Sequence, residues 1–228
     1  MSNHLQNLLS HTPDLLSRKV LDIGSGKGDF LVEVAIEGGE AQGIEKHREY
    51  IKETLKNAKR NNVSVKVTEG VAEKLPFQDK EFGFINISEV IEHVKDPNLL
   101  IKEAYRVLGD DGTVYISIPS RFSLKDPHFH LYFVNWLPRF VSDSFISIFG
   151  KHKDYSGDAG KQRLGEMHYY RFYDIKRDLV EEGFEVVDIR EDKIRKKFRG
   201  LLGVVILILY RLFLRPFYLD TFHILLRK

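Results

Sequence analysis

A glycine-rich turn directly after an apolar strand constrains this chain more than any other feature. Val20-Leu21-Asp22-Ile23 runs into Gly24-Ser25-Gly26-Lys27-Gly28, and Asp29, Phe30, Leu31, Val34 and Ala35 follow at the spacing of a helix packed on a sheet. Glycines at alternate positions let the backbone turn sharply and approach a ligand with no Cβ in the way. Strand, turn and helix in that order open a parallel α/β domain whose ligand lies at the strand's carboxyl end.

The spacing also selects among ligands. A dinucleotide fingerprint would put its third glycine at position 29, where this chain has Asp29. A pyrophosphate needs a helix N-terminus free of competing anions, yet Asp22 precedes the loop and Asp29 enters the first helical turn. The same carboxylates suit a cationic ligand without phosphates. Glu45 ends the next apolar run, Ala41-Gln42-Gly43-Ile44, at a distance where a strand-end acid can hold ribose hydroxyls. A nicotinamide cofactor and an oxidoreductase remain the rival reading.

Beyond the loop the elements alternate. A helix is expected over 29–37, a strand over 41–45, a helix near 47–60 and a strand over 63–67. Strand four is expected over 82–87. Asp96-Pro97 should then cap a helix with Leu99, Leu100, Ala104, Val107 and Leu108 turned inward, before strand five at 113–118. A helix over 174–182 and strands over 184–189 and 221–226 return to the core. Strands and helices taking turns mean a parallel sheet.

With these residues in order, the chain resembles the class I S-adenosylmethionine-dependent methyltransferases, and within them the small-molecule enzymes related to ubiquinone biosynthesis. The likeness is carried by Asp22 to Gly28, by Glu45, by Glu69-Gly70-Val71-Ala72-Glu73-Lys74-Leu75-Pro76-Phe77, and by Ser88-Glu89-Val90-Ile91-Glu92-His93-Val94. It covers roughly residues 18–120 and resumes near 168–190. The resemblance implies a doubly wound, seven-stranded, mostly parallel sheet with a cap inserted after strand five and a helical insertion between strands six and seven, in one domain over 1–228. It also implies S-adenosylmethionine as methyl donor and S-adenosylhomocysteine as product. Asp22, Gly24, Ser25, Gly26, Gly28, Glu45, Lys46, Val71, Ala72, Glu73, Ser88 and Glu89 would then hold the cofactor. Two positions depart from the pattern. Val71 stands where many relatives have an Asp for the adenine amine, and Gly83 where Phe-Asp usually opens strand four.

A hydroxyl acceptor must lose a proton, and His93, placed where the family has its reactive crevice, is the expected base because an imidazole titrates near neutrality. The aromatic and histidine-rich stretch 120–170 reads as the substrate cap, with His128, His130, Trp136, His168 and Tyr169 as substrate-binding candidates. Asp126-Pro127-His128-Phe129-His130 and Glu166-Met167-His168 lack the spacing of a known ligand frame, so no metal is expected.

The whole chain is nearly neutral, with 35 Lys and Arg against 33 Asp and Glu, which gives no overall electrostatic case for a nucleic-acid partner. The run Ser88-Glu89-Val90-Ile91 also lacks the proline pair of amino-methylating DNA enzymes. There is no cysteine, which excludes disulfides, thiolate metal sites and a cysteine nucleophile. No secretory signal is visible at the start, so a cytoplasmic protein is expected.

The charge is uneven. Arg190 to Lys228 holds ten basic and three acidic residues, a net of +7. Within it, 193–216 begins basic and turns apolar from Leu201 to Tyr210, too short for a bilayer span of about 20 residues. A helix lying in the headgroup plane of the inner membrane face is one expectation, and a core or homodimer-interface helix is the other. Trp136-Leu137-Pro138-Arg139 with this segment resembles methyltransferases of cell-envelope glycan or lipid pathways, which tilts the expected acceptor toward a small or lipid-linked molecule methylated at oxygen. A non-catalytic module of the same fold, docked to membrane or protein, is the third reading.

Overall fold

The computed structural model describes residues 1–149 and 162–228. Its seven strands are β1 (Lys19–Ile23), β2 (Glu40–Glu45), β3 (Lys66–Glu69), β4 (Phe82–Ile87), β5 (Leu108–Pro119), β6 (Glu185–Asp188) and β7 (Thr221–Arg227). They form one sheet in the order β3-β2-β1-β4-β5-β7-β6, with β7 antiparallel to its neighbours and the rest parallel. The order reverses between β1 and β4, the place where such sheets open a crevice beyond their carboxyl ends.

The α-helices among the described residues are α1 (Asn3–His11), α2 (Asp29–Ile36), α3 (Arg48–Arg60), α4 (Pro97–Val107), α5 (Arg139–Phe149), α6 (Phe172–Glu181), α7 (Ile189–Lys197) and α8 (Gly200–Leu209). Alternation along the strands sorts the two layers. Leu21 and Ile23 pack with Leu100, Ala104, Phe172 and Leu179 from α4 and α6, while Val20 and Phe84 pack with Leu5, Leu8, Phe30 and Val34 from α1 and α2. Asp96 caps α4 through Oδ1, which accepts from Asn98 and Leu99 N–H, and Pro97 starts it.

Some boundaries differ from the sequence reading. β3 begins at Lys66 rather than Val63, because the chain leaving α3 spends Asn61 to Val65 closing the turn, with Val63 N–H bonded to the Ala58 carbonyl. On α4 the inward face at Leu100, Ala104 and Val107 is as expected, except that Leu99 is 45% exposed and Ile101 is buried beside Leu100. β6 stops at Asp188, whose carboxylate accepts from Arg190 and Glu191 N–H and so starts α7 at Ile189.

The 193–216 segment is not one helix. α7 ends at Lys197, α8 begins at Gly200, and a π-helical turn covers Tyr210–Leu214. Glu191 ties the pieces together by accepting from Arg195, Arg211 and Arg215, which hold its carboxyl down to about 2. Of α8 only Gly203 is buried, so a core helix is excluded for the single chain. The cap runs from Ser120 through α5, and residues 150–161 of it lie outside the described part.

Candidate functional site

At the tip of β1 the chain folds back on itself. Gly24 and Ser25 N–H both donate to the Ile44 carbonyl, which draws the loop over β2. Glu45 then grips it from the side. Its Oε2 accepts from Gly26 N–H at 2.9 Å and its Oε1 from His47 N–H at 2.8 Å. Both bonds are charge-assisted, yet a carboxylate has further lone pairs for hydroxyl donors.

Two of the glycines are required by geometry. Gly28 has φ +77°, and a Cβ there would sit 2.2 Å from Thr54 Cγ2, so α2 and α3 can close on the loop only at a bare backbone. Gly26 has φ +53° and nothing within 4 Å of where its Cβ would be. Between Glu45 and that open side a ligand can lie against the backbone.

Asp22 stands in register with Gly43 on one side and Asn86 on the other, and Asn86 with Tyr115 beyond. Asn86 Nδ2 donates to Asp22 Oδ1 at 2.7 Å, and Ser88 Oγ donates to Asn86 Oδ1 at 2.9 Å. His4 of α1 reaches the same Asn86 oxygen at 3.4 Å and lies edge-on to Phe30 and Tyr115. Burial, with the Glu45 charge adding to it, pushes the Asp22 carboxyl up to about 7. A buried carboxylate of this kind gains from a cationic neighbour. Asn86 and His4 were missed by the sequence reading. The available signal was one amide inside the otherwise apolar β4.

The remaining cofactor candidates are unevenly placed. Ala72 is buried, Val71 is 47% exposed in a short turn bridged to Lys74, and Glu73 accepts from Lys95 N–H at 2.8 Å, tying that turn to the stretch after β4. Lys46 is exposed, pointing its charge to solvent past the end of β2. Glu89 holds a left-handed conformation, φ 56°, with its N–H donating to Ser117 Oγ.

Opposite the cradle lies a second group. Val90 packs against Gly24, and a tight turn from Val90 brings Glu92 and His93 forward, with His93 N–H bonded to the Val90 carbonyl. His128 enters from the cap. Its ring stacks on His93 at 5.0 Å between centroids, and its Nε2 lies 3.5 Å from Glu92 Oε1. Glu92 is 1% exposed and His128 3%. One ligand-type atom from each of Glu92, His93 and His128 lies within 4.8 Å of the others.

Asp126 fixes the cap side of this group. Its Oδ1 accepts from His128 and Phe129 N–H, and its Oδ2 from Tyr169 hydroxyl and Asn135 Nδ2. The Tyr169 ring stands edge-on to His128, and burial beside Asp126 raises its phenol far above the usual range. His168 joins by its backbone, donating N–H to the Glu92 carbonyl.

Of the five substrate candidates, His128, His168 and Tyr169 thus gather around Glu92 and His93. His130 and Trp136 do not join them. His130 sits on an exposed turn with φ 58°, and Trp136 is 44% exposed, edge-on to Phe122, which also packs on Phe217. The spacing of the histidines in the cap concealed this split, because the Asp126 turn buries one and expels the other.

The cradle fits a phosphate-free, positively charged nucleoside. Buried acids at Asp22 and Glu45 flank a bare backbone, and no lysine or arginine is among the cradle's bonds described above. Comparison with known proteins agrees. The methyltransferase-domain family matches residues 17–169. A ubiquinone/menaquinone biosynthesis C-methyltransferase of Rickettsia felis is 30% identical over 199 residues, covering 83% of this chain and 74% of that one. A ubiquinone biosynthesis O-methyltransferase of Pseudomonas syringae pv. tomato is 28% identical over 148 residues, 60% of this chain and 61% of that one. Among solved structures, the YcgJ protein of Bacillus subtilis superposes with a TM-score of 0.63 at 17% identity over 100% of both chains, which supports the fold.

Proposed function

This chain belongs to the class I S-adenosylmethionine-dependent methyltransferases, and on that premise we propose that it methylates an oxygen of a lipid-linked acceptor while docked on an anionic membrane surface. Membership overturns the oxidoreductase reading, and the chain is an enzyme using S-adenosylmethionine. When bound, that cofactor supplies an electrophilic methyl on a sulfonium. The chain's own part is to orient and to ionise. Glu45 would hold the ribose hydroxyls, and Asp22 would face positive charge. His93, with Glu92 and His128 behind it, would promote loss of the acceptor's proton. Holding nucleophile and methyl carbon in line is worth up to ~7–11 kcal/mol of the barrier.

The observation that carries the membrane reading is the position of the apolar surface. β7 runs antiparallel, with Thr221 beside Pro119, so the segment before it emerges at the carboxyl end of the sheet, where the crevice opens. There Leu201 is 81% exposed, and Leu202, Val204, Ile208, Leu212 and Phe213 are each at least half exposed. Phe217 and Leu219 carry this surface to the cap through Phe122 and the Leu124–Leu219 backbone bond. No helix among the described residues is long and apolar enough to cross a membrane.

The charge on this surface matches an anionic bilayer. Lys193, Lys197 and Arg199 flank the apolar stretch, and three arginines share the single Glu191. Basic groups near such a surface contribute about 1 kcal/mol each, and half-exposed leucines roughly as much again on insertion. Together these suffice for reversible docking.

The test has two arms on the full-length protein. It should sediment with phosphatidylglycerol vesicles and be released by rising salt, and a labelled methyl donor should mark an ether in the lipid fraction of a cell extract. Protein left in the supernatant, or a salt-insensitive dimer burying the apolar face, refutes the docking. Label on carbon, or only in water-soluble products, refutes the acceptor.

A further inference from the structure

We infer that Glu92, His93 and His128 form a binding site for a divalent transition-metal cation of the zinc type, which the acceptor's oxygen would complete. The inference rests on the methyl-transfer reading and specifies how that site ionises its acceptor.

Three observations support it. The donor set is two imidazoles and one carboxylate, the combination that leaves positions open for substrate on zinc and related cations. The Glu92–His128 separation of 3.5 Å is longer than the ~2.7–2.9 Å of a charge-assisted hydrogen bond. It is close to the edge of a tetrahedral shell, where atoms ~2.0–2.1 Å from the cation lie roughly 3.3–3.4 Å apart. His93 closes the set with a small inward swing, since all three atoms already lie within 4.8 Å.

The pair of bonds between His93 and Gln162 is the third observation. Its Nδ1 lies 2.7 Å from Gln162 Oε1, while Gln162 Nε2 donates to the His93 carbonyl at 3.2 Å. With the amide oriented by both bonds, the imidazole proton belongs on Nδ1 and the lone pair on Nε2. A ligating histidine is oriented in this way, by donating its other ring N–H to a carbonyl-type oxygen. Asp126 performs the matching task for His128 through the backbone bonds that set the turn.

The chemistry balances without a further reagent. An acceptor hydroxyl drawn to the cation releases its proton to water more readily. Its oxygen then forms a bond to the methyl carbon as the carbon–sulfur bond breaks, the electron pair going to sulfur. The products are the methyl ether, S-adenosylhomocysteine and one proton. On this assignment His93 is a ligand and not a proton acceptor.

Cobalt(II) titration of chelator-treated full-length protein, read by visible absorption and calorimetry, tests it, with S-adenosylhomocysteine titrated into the same samples. The wild type should bind one equivalent that zinc displaces. Glu92→Gln and His128→Asn should each bind cobalt at least tenfold more weakly while binding S-adenosylhomocysteine as the wild type does. Gln162→Ala should weaken cobalt by about tenfold through the lost orienting bond. Absence of a stoichiometric site, or variants that bind cobalt like the wild type, overturns the inference. Failure of S-adenosylhomocysteine to bind is a separate result and would count against the cradle instead.

Discussion

The cofactor side of the crevice is held mainly by backbone, whereas the acceptor side is held by side chains from segments far apart in the chain. Around Gly26 most bonds run from main-chain N–H groups to the Ile44 carbonyl and the Glu45 carboxylate, within Asp22 to His47, and the Thr54 hydroxyl of α3 donates to the Gly26 carbonyl. Around His93 they run from Glu92, His128, Gln162 and Tyr169, joined across the cap. A backbone cradle tolerates little change in chain path but is indifferent to many side chains. A side-chain cluster can be rebuilt for another acceptor with the cofactor end left alone.

The largest effect expected on that contrast comes from Gly28→Ala. The left-handed backbone and the Thr54 contact together cost about 3 kcal/mol, or roughly 100-fold in S-adenosylhomocysteine affinity by calorimetry. Near-normal affinity would mean that the loop is not the rigid part. Next in size is Leu201→Glu with Leu202→Glu, which should weaken vesicle binding about tenfold or more by removing two insertable side chains. S-adenosylhomocysteine affinity should not move, and a parallel loss would show that the two ends are coupled.

The smallest effect is in pH. Asp22 titrates near 7 in the folded chain, so below that value it is protonated and gives less attraction to a cationic ligand. Cofactor affinity should fall by about tenfold between roughly pH 8 and pH 6 as the ionised fraction falls, and Asp22→Asn should flatten the profile. Stability changes in the opposite sense. The unfolded carboxyl releases its proton near 3.8 and the folded one only near 7, so this group's contribution is full below the first value and lost above the second. A thermal melt series over that window checks the sign.

The same division governs what could be read in advance. β1, β4, the cap at Asp96 and the glycine turn were legible because each is set by local pattern: near-continuous apolar runs buried on both faces, a capping carboxylate, and backbone angles only glycine adopts freely. The start of β3 was misplaced by a few residues and Leu99 of α4 was wrongly turned inward, since tertiary packing decides where a short element begins and which edge of a helix it covers. Asn86 was missed, for its role depends on lying beside Asp22 across two strands.

By itself the sequence determined the α/β sheet, the glycine cradle and its acidic character, because these depend on near neighbours along the chain. Only the tertiary structure decided that His128 is buried against Glu92 and His93 while His130 faces solvent, and that the apolar face of α8 stays uncovered at the crevice end. Those outcomes depend on which distant segments meet when the sheet closes, and strand order, not spacing, sets that.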